Sequence, residues 1–300
     1  MRDIFVSSLI QKQKMETLTR KQKIFNFPVV KILLALLTFM AVVIIGQQIA
    51  AKLLALTPLD RDYRNLLKGL FVSFSCIFSY ILFFKKYDKR TITEFATKGL
   101  AKNLLIGISI GFILQSCTIL VMYLNGNYSI VNINPVSFIL IPFTIMFTVA
   151  IIEEILVRGI IFRIVEEKLG SYISLTISSV LFGILHLANP HGTLISGICI
   201  TMAGFMLGAA FIYSRNLWFP IALHFAWNFT QSGIYGAITS GNEKTNSLLE
   251  AKIQGPEFIT GGEFGPEGSI QAIVFCALGT ILLLALSRKQ NRIIKPYWKN

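Results

Sequence analysis

A chain of 300 residues that is 54% hydrophobic and only 14% charged is not an ordinary soluble domain, since such domains carry roughly a quarter charged residues. Its formal net charge of +13 comes from basic residues crowded into loops and tails beside apolar runs. That pattern reflects membrane topology and anionic head groups and argues against a nucleic-acid partner. The four cysteines (Cys76, Cys117, Cys199 and Cys276) lie in apolar runs with no C-x-x-C pair, so they read as buried thiols rather than a disulfide framework.

The chain opens with a polar, basic tail over 1–28, in which Ile4, Phe5, Leu9 and Ile10 give a partly amphipathic stretch suited to lying along a membrane surface. The apolar run that follows is longer than a signal-peptide core and has no small-residue cleavage site, so it reads as an uncleaved first span. Apolar runs of nearly 20 residues, the length that crosses the hydrocarbon core, recur along the sequence. They predict eight spans: Val29–Leu53, Leu67–Phe84, Leu104–Leu124, Phe138–Phe162, Tyr172–Leu187, Leu194–Tyr213, Phe219–Ile238 and Ile270–Leu286. No repeat and no linker divides them. The expectation is an all-α, polytopic helical bundle of one domain over 29–287, with a core at 138–238 and a basic tail at 288–300.

Lys and Arg positions order this path. The amino-terminal tail with Lys31 beside it, the 85–102 loop, residues 163–168, Arg215 and the carboxy-terminal tail hold 21 of the 28 basic residues, while the alternate loops hold six. The positive-inside rule then places both termini in the cytoplasm. The long loop Thr239–Ser269, rich in turn-forming Gly and Pro, falls on the outer side. It reads equally well as a solvated loop or as a cap over a cavity.

Glu153 and Glu154 stand in the middle of the fourth span, with Arg158 four residues on. Charges at bilayer depth are costly and usually face a bundle interior or an aqueous cavity. Glu154 and Arg158 share a helix face at i, i+4 and can pair. Glu153, turned about 100° away, stays available. The fifth span carries Phe182-x-x-x-His186 and the seventh His224-x-x-x-Asn228, again at i, i+4. Polar groups from three spans that converge on one point make a candidate site. Two imidazoles and a carboxylate (His186, His224 and Glu153) suit zinc. A desolvated glutamate also activates water without a metal. The histidines sit on separate helices, so spacing leaves both chemistries open, and the H-E-x-x-H zinc motif is absent. Four features are read as structural or peripheral: His191 as a bystander, Glu166-Glu167-Lys168 as a solvated helix end, Gly204-x-x-x-Gly208 as a packing stripe, and the nearby Trp and Tyr as interfacial or core residues.

Taken in order, Glu153-Glu154-x-x-x-Arg158, Phe182-x-x-x-His186 and His224-x-x-x-Asn228 resemble the motifs of the CPBP intramembrane proteases, the CAAX-protease and bacteriocin-processing group also called Abi. The resemblance covers about Phe138–Phe229. It implies a multi-pass membrane endopeptidase acting on a peptide or protein at the bilayer, with Glu153 and His186 activating water. His224 and Asn228 would stabilise the oxyanion or help hold a metal, and Glu154 and Arg158 would brace the site. The family is described as metalloproteases, and a metal-free glutamate mechanism has also been argued for it. The Lys-, Ile- and Phe-rich composition suggests a bacterial plasma-membrane member without a CAAX substrate. Two other readings share the same residues. One is a non-catalytic self-immunity or scaffold protein of the same family. The other is a proton-coupled transporter using buried Glu and His as relays, though repeated halves of the usual kind are not visible.

Overall fold

The computed structural model describes residues 19–299. The expected surface-lying stretch around Ile4, Phe5, Leu9 and Ile10 is outside them. In chain order the elements are α1 (Arg20–Phe25), α2 (Pro28–Ala55), α3 (Arg61–Tyr87), α4 (Leu100–Leu124), β1 (Tyr128–Ile133), α5 (Leu140–Glu154), α6 (Arg163–His186), α7 (Leu194–Ser214), α8 (Trp218–Phe229), β2 (Leu249–Ile253), α9 (Glu257–Thr260) and α10 (Ile270–Lys289). Among the described residues, six helical elements are long and apolar enough to cross a membrane. The protein is a multi-pass, all-α membrane bundle, with many large apolar side chains exposed along its long helices.

Two of the expected spans lie inside one continuous element, Val136–His186. Gly170, at φ 76° and ψ 171°, breaks that element into two rods. A side chain there would also strike the carboxy-terminal tail, because a Cβ on Gly170 would lie 2.6 Å from the Pro296 nitrogen. The expected seventh span is the 12-residue α8, prolonged by a π turn over Thr230–Ile234. It is too short to count among the membrane-crossing helices. It needs no lipid contact to be stable, because nine of its residues are buried by neighbours.

Local sequence sets several of these boundaries. Pro28 occupies the first turn of α2, where its missing N–H costs nothing. Thr193 and Ser196 cap each other's backbone at the start of α7. The Ser269 side chain accepts from the Ala272 N–H at the start of α10. α7 is the central rod: 67% of its apolar window is buried, against 22–33% for the other spans. It packs on α6 and α10, while α4 packs along α8 and α2 along α3. Gly111 on α4 permits that close approach to α8, since a Cβ there would lie 2.4 Å from the Leu223 carbonyl oxygen.

The helix ends gather on two faces. On one, Lys31 pairs with Asp88 at 2.8 Å, and Arg163 reaches Glu94 at 3.5 Å and Asp88 at 3.6 Å. Glu166 is buried there and bonds Arg215 at 2.7 Å and the Ser171 hydroxyl. The reading of Glu166 as a solvated helix end is therefore wrong. Burial is affordable because Arg215 and Ser171 supply donors from positions that the sequence does not bring near. On the other face the long loop is not all irregular: β2 pairs antiparallel with β1, a two-stranded ribbon that the apolar pattern did not announce.

Candidate active site

Three rods deliver the site. Glu153 and Glu154 close the α-helical part of α5, and the backbone then opens into a π turn over Ile155–Phe162. Such widened turns inside α-helices often occur at functional sites. His186 is the last residue of α6, and His224 and Asn228 lie one turn apart on α8. All six residues expected from the sequence are thus gathered on α5, its π turn, α6 and α8.

One glutamate braces the site and the other faces its cavity. Glu154 is completely buried, and its Oε1 accepts from Arg158 Nη1 at 2.9 Å and from His224 Nδ1 at 2.9 Å. Arg158, also completely buried, donates from Nη2 to the Gly204 carbonyl oxygen at 3.0 Å and lies over the Phe182 ring, 4.7 Å from its centroid. Gly204 therefore does more than allow close packing; its carbonyl holds the guanidinium.

His186 Nδ1 lies 2.8 Å from the Phe182 carbonyl oxygen. A carbonyl only accepts, so Nδ1 donates to it and Nε2 is the nitrogen left facing the cavity. The same logic fixes His224, whose Nδ1 faces a carboxylate. Both imidazoles then turn Nε2 toward Glu153. The separations from Glu153 Oε2 are 4.0 Å for His186 and 3.9 Å for His224. That carboxylate oxygen is buried and has no hydrogen-bond partner.

The spacing tests the metal expectation. Two donors on a tetrahedral zinc, with bonds of about 2.0–2.1 Å, lie about 3.4 Å apart. The gaps here are wider, and among the described residues no group of three or more His, Cys, Asp or Glu is arranged to hold a metal ion. A water making hydrogen bonds of about 2.8 Å to two acceptors spans about 4 Å at a bent angle. The three atoms fit a water better than they fit a metal.

A cavity of about 740 Å³ leads to Glu153 and His186, with Asn228 and Ser240 on its wall. Behind it, a small chamber of about 30 Å³ is lined by His186, His224, Asn228, Ser240 and Glu267. Ser240 and Glu267 belong to the Thr239–Ser269 loop, which therefore caps the site rather than floating free. The loop is closed on itself by Gly241 N–H to the Phe264 carbonyl at 2.8 Å and is tied to the segment after α6 by Asn189 to the Ser240 carbonyl at 2.8 Å. His191 pairs with the exposed Glu263 at 3.1 Å and lines neither the cavity nor the chamber.

Glu267 was not singled out in the sequence. It is a carboxylate in a Gly- and Pro-rich loop, outside every apolar span, and nothing in its spacing marks it. In the fold it is only 5% exposed, and it accepts from the Ser240 hydroxyl at 2.6 Å. Burial pushes its carboxyl above the usual range, an effect that the Ser240 hydrogen bond and the two nearby histidines oppose. The native state then keeps a proton that the unfolded chain has lost, so stability falls as pH rises from the ordinary glutamate range into the raised one. Glu267→Gln removes this dependence. Thermal unfolding in detergent from about pH 4 to about pH 9 should show a flatter profile and a higher midpoint on the alkaline side.

Residues 135–230 match the family described as type II CAAX prenyl endopeptidase Rce1-like. That stretch contains the whole Glu-Glu, Arg, His and His-Asn set. The chain is also 32% identical over 116 residues to a Bacillus subtilis (strain 168) protein named "Putative membrane peptidase YdiL". The match takes in 38% of this chain and 42% of that relative, so the chain spans less than half the length of the curated relative it matches.

Proposed function

We propose, from the premise that residues 135–230 belong to the Rce1-like CAAX-protease family, that this protein is an intramembrane endopeptidase hydrolysing peptide bonds with a water activated by Glu153 and His186. The observation that carries the reading is the Glu153 Oε2 atom: buried, without a hydrogen-bond partner, and flanked by two imidazole Nε2 atoms at 4.0 and 3.9 Å. A water held there donates one proton to Glu153 Oε2, and its oxygen lone pairs are free to face a substrate carbonyl. Glu153 takes the proton as water attacks, and general-base help of this kind contributes roughly 10²–10⁴-fold.

The developing oxyanion needs donors. Asn228 supplies an amide N–H₂ at the wall shared by cavity and chamber, and a preorganised donor there lowers the barrier. The proton on Glu153 is then passed to the leaving nitrogen, as microscopic reversibility requires. Glu154 holds His224 through Nδ1, and Arg158 holds Glu154, so the brace acts on orientation rather than on the reacting atoms.

The test uses purified full-length protein in proteoliposomes with a membrane-anchored peptide. Cleavage is expected to survive prolonged treatment with a strong chelator, and metal analysis of the active protein is expected to give far less than one zinc per chain. Activity lost to chelation and restored by added zinc would replace this chemistry with Lewis-acid activation.

A further inference from the structure

We infer that the cavity is entered from the extracytoplasmic face, and that its occupant is a membrane-anchored peptide emerging from the outer leaflet rather than a chain presented from the cytosol. The inference names the substrate class for the hydrolytic reading above and rests on it.

Three observations point the same way. The first is charge. The face knitted together by the Asp88, Glu94 and Glu166 ion pairs carries 18 of the 25 Lys and Arg residues found within 19–299. The opposite face, that of the β1–β2 ribbon and the Thr239–Ser269 loop, carries six Lys and Arg against seven Asp and Glu. The positive-inside rule assigns the strongly basic face to the cytoplasm.

The second is where the cavity opens. Its polar rim is made by Asn189, Asn242, Glu243 and Lys244, all on the face poor in basic residues. No residue of the basic loops lines it. Toward the basic face the way is shut. Below Glu153 stand the fully buried Glu154–Arg158 pair and the buried side chains of Ile155, Ile160 and Phe162.

The third is the chemistry of the walls. Away from the rim the cavity is lined by Met40, Ile145, Met146 and Val149, and Met40 and Ile145 are 41% and 40% exposed on the outside of the bundle. One continuous space thus joins lipid-facing methionine and isoleucine, the Glu153 carboxylate, and water-exposed Asn242 and Glu243. An occupant that satisfies all three is amphipathic along its length: an apolar stretch in the outer leaflet, then a polar stretch crossing into water. The scissile bond sits at that crossing. A chain arriving from the cytosol would have to pass the Arg158 plug.

The experiment separates direction from chemistry. In a Cys117→Ser background, Lys252→Cys and Lys98→Cys place single exposed thiols on opposite faces, both away from the cavity. With a membrane-impermeant maleimide on intact cells, Lys252→Cys is expected to label and Lys98→Cys to label only after lysis. In proteoliposomes sorted by the same labelling, a synthetic peptide with an apolar anchor and a polar extension is expected to be cut when inserted from the Lys252 side. It is expected to stay intact when enclosed on the Lys98 side. Labelling of Lys98→Cys alone in intact cells, or cleavage only from the Lys98 side, overturns the inference. If the labelling is as expected but no cleavage occurs from either side or in detergent, the direction of access stands, whereas the hydrolytic reading and the substrate class that depends on it both fall.

Discussion

Glu153→Gln is expected to lower cleavage by roughly 10²–10⁴-fold while leaving insertion, expression and thermal midpoint close to those of the unaltered protein. The two halves of that result have different physical origins. The amide keeps the size and shape of the carboxylate but cannot take a proton from water, so the base is removed without a steric change. Folding is spared because the Glu153 side chain is 28% exposed in the cavity and its Oε2 accepts no hydrogen bond in the resting protein. No network is broken. The measurement is turnover of an anchored peptide in proteoliposomes beside a detergent melting curve. Undiminished turnover would remove Glu153 from the chemistry. A large drop in melting temperature would instead make it a structural charge and favour the reading in which the bundle is a non-catalytic scaffold.

The site was legible in the sequence wherever its parts were local. Glu154 and Arg158 are four residues apart on one helix, and their pairing follows from helical spacing alone. The same spacing placed His186 beside Phe182, where the ring stacks edge-on with centroids 4.5 Å apart and the Phe182 carbonyl fixes the tautomer. What was not legible depends on contacts between distant segments. The second role of Glu154, as acceptor for His224 Nδ1, joins two rods whose relative rotation no periodicity encodes. The Gly204 carbonyl is a backbone group with no sequence signature. Glu267 and Ser240 reach the chamber only because the loop folds back over it, and turn-forming residues announce a turn without saying what it covers. The fold shows the same division. Apolar length revealed the rods, but the break at Gly170 reads in sequence as one glycine among 22. α8 looks like an ordinary span because its burial is supplied chiefly by α4 and α5 rather than by its own length.

Arg158→Ala is expected to cost about 3–5 kcal/mol of stability, the usual consequence of leaving one member of a buried ion pair alone. Arg158 and Glu154 are both fully buried and 2.9 Å apart. Removing the guanidinium leaves the buried Glu154 carboxylate with His224 Nδ1 as its remaining partner, opens a void beside Phe182 and frees the Gly204 carbonyl. Replacing both partners with apolar residues of similar volume, Glu154→Leu with Arg158→Met, removes the uncompensated charge. Stability should then return much of the way, since such double replacements are often neutral. Activity should not return with it. The Glu154 oxygen that pairs with Arg158 is also the acceptor that orients His224, and without it Nε2 is no longer held toward Glu153. Melting temperature and turnover measured on the single and double variants would therefore diverge: both low in the single, stability recovered and turnover still low in the double. Recovery of both in the double variant would mean that the pair serves the fold alone. The charge pair would then be a leftover of packing rather than the support on which the catalytic imidazole rests.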